Sequence, residues 1–374
     1  MKMTVTVFLI LCISAVASPS AAQEGDAHRS APIGSYGGAM NPDVSAVVDL
    51  RALFTDDEEN TERGRARIDE AEIAFSAFLY PSISGDFIVA MHEHEGEWHV
   101  HPEEAYVSFL ELPGGLQLIA GRKLIEFGRV NPVHPHHWRF ATPPLVMSDF
   151  FGDHPLFDDG AQVDWLLPNP WDLYCRLAFG HWAGGSADHD HGEEEEHAES
   201  IEWRGRIYNG RAVVDLPFGE LSDVLAGYSI IWDEGYHTML HGGDLTLTWR
   251  RPMSYTRVVW QSEVWYAATK DESVSDPLGF FSTVSLTLDT HWELGARYDL
   301  SEYLAGGHEE EEDHATPTLD DDRGITGFVS YYFMHSLYLR LEYARLRDRY
   351  DTIENRGTVQ LVWGLGPHAH RLED

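Results

Sequence analysis

The sequence has little cysteine and little positive charge, and beyond its first residues it has no long apolar run. Each absence excludes something. Of the two cysteines in 374 residues, Cys12 falls in an N-terminal stretch expected to be removed. Only Cys175 then remains, so no intramolecular disulfide is expected. Lys and Arg number 26 against 62 Asp and Glu, a net charge of −36. That balance argues against nucleic acid, because phosphate contacts need basic side chains. It suits cations, or an outer surface bridged to lipopolysaccharide by divalent ions. No run past the N-terminus reaches the roughly 18 apolar residues that a membrane-spanning helix needs. What the chain holds instead is 12 Trp, 16 Tyr and 21 His.

Residues 1–22 read as a secretory signal. Lys2 supplies the positive start, Val5 to Val16 the short apolar run, and Ala15-Val16-Ala17 or Ser20-Ala21-Ala22 the small residues of a cleavage site. Cleavage after Ala22 is favoured. Leu11 before Cys12 argues against a lipoprotein, which needs a small residue there. Residues 23–42 would then form a periplasmic N-terminal segment, 43–366 one outer-membrane β-barrel and 367–374 a C-terminal tail, with no Pro/Gly/Ser linker between domains.

The barrel rests on alternation. A strand turns successive side chains to opposite faces, and a membrane barrel puts apolar residues toward lipid and polar ones toward the lumen. In Thr256–Tyr266, Val258, Trp260, Val264 and Tyr266 oppose Arg257, Gln261 and Glu263. In Trp292–Asp299, Trp292, Leu294, Ala296 and Tyr298 oppose Glu293, Arg297 and Asp299. Leu337–Arg345 and Thr358–Leu365 repeat the pattern. Segments of this kind run over 43–55, 66–80, 84–94, 99–112, 115–127, 157–167, 171–182, 201–216, 222–232, 243–251, 254–267, 277–287, 291–299, 323–334, 337–348 and 356–366. That makes about 16 strands, an even number as bacterial barrels prefer. Every second connection is tight, as at Pro81–Ile83, Pro113-Gly114, Pro252-Met253 and His335-Ser336, and the others are mostly long and polar. Short periplasmic turns against longer extracellular loops are the asymmetry expected of an all-β transmembrane antiparallel barrel. A soluble β-sandwich alternates too, but aromatics near segment ends and the alternating loop lengths favour the barrel.

The histidines and acids gather on the long-loop side. His92, His94, His99 and His101 flank one connection. His134, His136, His137 and His154 lie in the longest, Gly128–Leu156. His189, His191 and His197 stand among Asp188, Asp190 and Glu193–Glu196. His237 and His241 flank a fifth connection, and His308 and His314 surround Glu309–Asp313. Neutral imidazole binds zinc, copper and nickel, and carboxylates add charge and oxygen ligation. These fifteen histidines are therefore the candidate metal ligands, although no spacing among them equals a zinc-finger or metalloprotease signature, and acidic low-complexity loops are often simply solvated. Gly128–Leu156 is both long and apolar. Its prolines break any strand, Pro143-Pro144 suits a short helix start, and its content suggests packing into or over the lumen. Asp49, Arg51, Glu70, Glu72, Arg257, Glu263, Glu293, Arg297, Arg340 and Glu342 are expected to point into that lumen, where mixed signs would pair.

The run Phe127-Gly128-Arg129-Val130-Asn131-Pro132-Val133-His134-Pro135-His136-His137-Trp138, with Ala120-Gly121-Arg122 before it and Pro144-Leu145-Val146 and Phe150 after, resembles bacterial outer-membrane proteins labelled zinc-regulated outer-membrane receptors or porin-like proteins. Met40–Ser45, Glu103–Tyr106, Leu112–Leu116 and Leu365–His370 resemble them as well. The resemblance implies an outer-membrane barrel and a link to zinc. The alternating segments begin about twenty residues after the signal, leaving no room for the plug domain of TonB-dependent receptors. A passive channel is therefore expected, with zinc or another divalent cation as ligand or cargo and no required cofactor. Its expected surroundings are outer-membrane lipid and lipopolysaccharide. A general porin with incidental histidines, or a barrel-anchored surface interaction protein, stays open. No enzyme is expected, since no nucleophile motif sits in a supporting strand context.

Overall fold

Period-two patterning with one polar face leaves an isolated strand with two unpaired edges, and closing the sheet removes both. The computed structural model describes residues 41–58, 60, 62–94, 97–152, 154–184, 201, 203–270, 276–302 and 321–366. In it sixteen strands form a closed barrel. They are β1 (Asp43–Thr55), β2 (Ala66–Tyr80), β3 (Ile83–His94), β4 (Glu97–Leu112), β5 (Leu116–Leu124), β6 (Phe157–Leu166), β7 (Tyr174–Trp182), β8 (Ile207–Pro217), β9 (Ser222–Asp233), β10 (Thr238–Arg250), β11 (Arg257–Thr269), β12 (Leu278–Thr287), β13 (Trp292–Glu302), β14 (Asp321–Met334), β15 (Leu337–Arg347) and β16 (Ile353–Leu365). Each pairs antiparallel with the next, and β1 closes on β16 from Ala46↔Leu365 to Thr55↔Arg356. The expected signal, N-terminal segment and C-terminal tail lie outside the described residues.

The strand faces follow the alternation. On β11, Trp260, Val264 and Tyr266 are exposed on the outside while Glu263 and Trp265 are buried inside. On β15, Leu341 and Tyr343 face out, and Arg340 and Glu342 face in. The outer wall is thus an apolar surface, edged near the short connections by Tyr80, Trp165, Trp249, Trp292 and Phe333. An apolar belt this extensive around a closed sheet is placed in lipid by the hydrophobic effect.

Strand bounds differ most from those read in sequence at β10, which begins at Thr238 instead of 243, and at β8. The segment expected over 201–216 is a strand only from Ile207 to Pro217. Gly205 takes a left-handed φ of 74°, which ends the extended backbone, and the Arg204 N–H bonds to Asp233 Oδ2 at 3.1 Å. Ile201 leaves the wall altogether: it is buried inside, and its N–H bonds to Phe150 O at 3.0 Å.

The segment between β5 and β6 lies inside the barrel. It carries a short 3-10 turn, Pro135–His137, and one helix, α1 (Leu145–Phe151), which starts after Pro143-Pro144 as expected and stops at Gly152. Its side chains Phe127, Val130, Trp138, Phe140, Val146, Met147 and Phe150 build an apolar core against Trp182, Ile231, Leu240, Trp265, Phe281 and Phe328 of the wall. Gly279 on β12 makes room for α1, since a Cβ there would stand 2.0 Å from Val146 Cγ2. The lumen wall therefore has apolar patches where the segment covers it, contrary to uniform polar lining.

Trp265 is fully buried and stands edge-on to Phe127, ring centroids 4.9 Å apart. Replacing it with Ala should cost about 3–5 kcal/mol, as for other large-to-small changes in packed cores. The compact form of Trp265→Ala on unboiled SDS gels should be lost at a lower temperature than that of the wild type. An unchanged temperature would mean that this core does not hold the barrel.

Candidate cation site in the lumen

Backbone N–H and C=O groups inside a barrel must find partners. The segment finds them in wall side chains. Its neck is closed by Asn131, which is buried. Asn131 Nδ2 donates to Ile125 O at 2.7 Å and Leu156 O at 3.0 Å, and its Oδ1 accepts from Leu156 N at 2.7 Å. Glu263 Oε1 on β11 accepts the N–H groups of Arg129 and Val130 at 3.0 and 3.1 Å. Gly128 allows this approach: its φ is 59°, and a Cβ there would lie 2.0 Å from Glu263 Oε2. Farther along, Glu342 accepts from Ala141 N at 2.7 Å, while Arg297 donates to Thr142 O at 2.7 Å and Pro143 O at 3.0 Å. Arg139 meets Glu293 at 2.5 Å, and Tyr338 Oη donates to His136 O at 2.6 Å. The segment thus crosses the lumen, held from β11, β13 and β15.

On the β2–β4 side the chemistry is different. Glu70 and Glu72 are two apart on β2 and both point inward, buried at 3% and 1% exposure. Glu103 and Glu104 are adjacent on β4 and both are buried, which simple alternation forbids. A bulge explains it: Ile88 pairs with Glu104 and Val89 with Pro102, so Glu103 is the extra residue. Pro102, with no N–H to give the ladder, sits at that bulge.

Into these four carboxylates the segment inserts two imidazoles. His134 Nδ1 lies 2.9 Å from Glu72 Oε1 and 3.3 Å from Glu103 Oε2, and its Nε2 is 3.5 Å from Glu104 Oε2. His136 Nδ1 lies 3.3 Å from Glu72 Oε1 and 3.9 Å from Glu70 Oε2. Burial works to lower the pKa of His134, but Glu72 and Glu103 outweigh it and hold the imidazole well above its ordinary value. His136 shifts up against the same burial through Glu72 and Glu70. The four carboxylates outnumber the two imidazoles by two. Among the described residues, Glu72 Oε1 and Glu103 Oε2 meet the imidazoles only as ion-pair contacts outside hydrogen-bond geometry, and Glu72 Oε2 and Glu70 Oε1 have no donor in hydrogen-bond geometry. One ligand atom each from Glu70, Glu72, Glu103 and His134 lies within 4.8 Å of all the others, a spacing that admits a metal ion. Mixed imidazole and carboxylate donors suit zinc among divalent cations.

The expected ligands are partly gathered here. His134 and His136 are in the lumen rather than at the outer rim, because the segment that carries them folds inward. His137 stands beside His136, ring centroids 4.3 Å apart. His92, His101 and His154 meet at the mouth, with His99 exposed opposite His92. His237 is exposed, 3.9 Å from Asp233. His241 is on the outer face, where Tyr228 Oη lies 2.7 Å from its Nδ1, apart from the rest. The side chain of His94, and all of His189, His191, His197, His308 and His314, fall outside the described residues. The carboxylates were not foreseen as ligands. Glu70 and Glu72 carried a signal, two inward acids at strand spacing, whereas Glu103 is aimed by a bulge that alternation cannot show. Of the ten residues expected to face the lumen, Asp49, Glu70, Glu72, Glu263, Glu293, Arg297, Arg340 and Glu342 are buried, and Arg51 and Arg257 are half-buried. It pairs less across the lumen than with strand neighbours, as in Arg297–Asp299 at 2.8 Å, or with the segment.

No protein-family model matches the chain. An uncharacterized protein of Aquifex aeolicus (strain VF5) is 31% identical over 232 residues, 53% of this chain and 47% of that protein. The chain thus spans about half the length of this relative. Solved porin-type barrels share its fold. An anion-selective porin from Comamonas acidovorans superposes with a TM-score of 0.57 at 10% identity, over 87% of this chain and 99% of that one. A loop-deletion mutant of OmpT, an outer-membrane protein of Vibrio cholerae, gives 0.55 at 12%, over 87% and 99%. Salmonella typhi OmpF gives 0.53 at 12%, over 87% and 98%. The likeness is of fold, a sixteen-strand porin barrel; a zinc-regulated family gains no support from it.

Two outcomes follow for the segment. Asn131→Ala removes three neck bonds and takes their partner from Ile125 O and the Leu156 N–H, while Leu156 O keeps the Ile125 N–H, at about 1 kcal/mol or more for each bond. Amide hydrogen exchange over 125–141 should accelerate accordingly; unchanged exchange would deny the neck its role. Burial pushes the carboxyl of Asp149, on α1, up to about 6. An acid whose folded-state pKa is raised costs nothing while protonated and most when ionised, so α1 is held best below about pH 4 and loosens as pH rises through about 6. Exchange of the Leu145–Phe151 amides, corrected for intrinsic rates, should rise across that window in the wild type and stay flat in Asp149→Asn.

Proposed function

We propose that the protein is a passive outer-membrane channel whose lumen binds and passes divalent cations, zinc foremost. The observation that carries this reading is the buried group of Glu70, Glu72, Glu103 and His134, where carboxylate oxygens lie close together without hydrogen bonds. Four buried acids share only two imidazoles, which is costly, and a divalent cation would relieve that cost by supplying further positive charge. The segment that brings His134 also narrows the route, so a cation entering from the mouth meets the cluster at the constriction. Zinc is cargo in this account rather than a resident group. The residues act by binding it and letting it go, with no chemical step.

A general porin with incidental histidines is the second reading, favoured by the fold, since barrels of this architecture include an anion-selective one. Fold does not choose the ion; the lumen residues do. The two readings separate in one preparation. Purified protein in planar bilayers should be cation-selective, with conductance that changes on zinc titration. Equilibrium dialysis should show zinc retained by the wild type. The double variant Glu72→Gln/Glu103→Gln should weaken the buried site by roughly a hundredfold or more, since even outer-shell partners of a metal are worth about 10- to 100-fold. A protein that retains no zinc and conducts identically with and without it would be the general porin.

A further inference from the structure

The outward face of β12 to β15 is uneven. Because each strand pairs with the next, outward residues form rows across the four strands. One row runs Val284, Ala296, Gly327, Tyr343, each directly opposite its neighbour. Its two middle positions carry almost no side chain. A Cβ added at Gly327 would meet no atom within 4 Å, so open space lies outside it. Val284 and Tyr343 at the sides, with Leu294 and Leu341 below, complete an apolar groove of about 700 Å³. Toward the long connections the same face turns cationic. Arg323 on β14 stands directly opposite Arg347 on β15, and Arg345 opposite Ile325. All three arginines are exposed. Like charges directly opposite each other repel. Asp321 holds Arg323 through two bonds of 2.8 Å, and Asp351 meets Arg347 Nε at 2.6 Å. Arg345 has no carboxylate partner among the described residues. In a chain with 62 acids against 26 Lys and Arg, three clustered cations call for an anion.

We infer that this face binds one phosphorylated, anionic lipid of the surrounding leaflet, with an acyl chain in the groove over Gly327 and a headgroup phosphate on Arg323, Arg345 and Arg347. The groove and the cations are separate observations that fall on the same two strands, and together they ask for a ligand with an apolar tail and an anionic head. Their spacing suits one. Gly327 to Arg323 is four residues of β14, about 13 Å along a strand, which sets the cations above the apolar belt where headgroups lie. Guanidinium groups offer phosphate paired N–H donors, and each phosphate oxygen that accepts them reduces the repulsion between Arg323 and Arg347. A zwitterionic or neutral headgroup would leave that repulsion largely in place. The site is on the outside of the wall, so it stands whether or not the lumen passes cations.

Native mass spectrometry of the full chain in detergent, titrated with bisphosphorylated lipid A, tests this by counting bound lipid. The wild type should take up one tightly held lipid A, and lipid A stripped of its phosphates should bind at least tenfold more weakly. Arg345→Ala/Arg347→Ala should weaken binding roughly twentyfold, about fivefold for each arginine lost beside an anionic headgroup. Arg345→Lys/Arg347→Lys should recover part of that loss. Gly327→Leu keeps every charge and fills the groove, and it should weaken binding several-fold. Equal affinity for the phosphorylated and stripped lipids in the wild type would overturn the site with no variant needed. Unchanged binding in Arg345→Ala/Arg347→Ala would overturn it too. Weakening in that variant with none in Gly327→Leu would mean phosphate on surface arginines alone, and the groove would be lost as a lipid site. Protein dimers that Gly327→Leu disperses in the absence of lipid would assign the groove to a second copy of the chain and overturn the lipid. Heat-modifiability on SDS gels checks that each variant is folded.

Discussion

Everything inside this barrel depends on one obligation: the backbone of the β5–β6 segment has entered the lumen and must be hydrogen-bonded there. An irregular segment cannot satisfy its own N–H and C=O groups as a helix does. The wall does it instead. Glu263 and Glu342 accept from main-chain N–H groups, Arg297 and Tyr338 donate to main-chain carbonyls, and Asn131 ties the two ends of the segment together. Charges that would line an open pore in an unfilled barrel are thus committed to holding a crosspiece. The apolar core behind them, from Phe127 to Phe150 against Trp265 and Phe281, follows from the same insertion.

The commitment is uneven around the wall. On the β11–β15 side, Glu263, Glu293, Arg297 and Glu342 each meet a partner on the segment or the wall. On the β2–β4 side, four carboxylates face two imidazoles, and several oxygens are left without donors. That imbalance sets the β2–β4 side apart from the rest of the wall, and the proposed cation site rests on it. The segment that fills the lumen also supplies His134, so the crosspiece and the imidazole of the cluster are the same piece of chain. A wall of mixed sign can serve both ends because ionised groups in a low-dielectric lumen interact strongly with whatever faces them, whether a peptide group or an ion.

Some of this was legible in sequence for a physical reason. A membrane strand must show one face to lipid, so its residues alternate, and Trp260, Val264 and Tyr266 against Glu263 declare both the strand and its facing. The tight turns, most of them with Pro, marked every second connection, which set the parity of the barrel. The prolines and aromatics of Gly128–Leu156 announced a segment that packs rather than waves in solvent. The alternation failed at Glu103, where a bulge turns an extra residue inward, and at Ile201, where Gly205 interrupts the strand. Bulges and breaks are settled by fit to neighbours, and the local pattern does not contain the neighbours.

The sequence by itself determined the strands, their facing, their number and the side on which the long loops lie, because each of these is written in a repeat of two or in the residues of a turn. It also determined that histidines and acids would be abundant together. Only the tertiary structure decided which of them meet. His134 comes to Glu72 and Glu103 across thirty or more intervening residues, and His154 comes to His92, because one long connection folds into the lumen and is pinned there by wall groups far away in the chain. Closure of the barrel brings those groups within reach, and closure is a property of all sixteen strands at once.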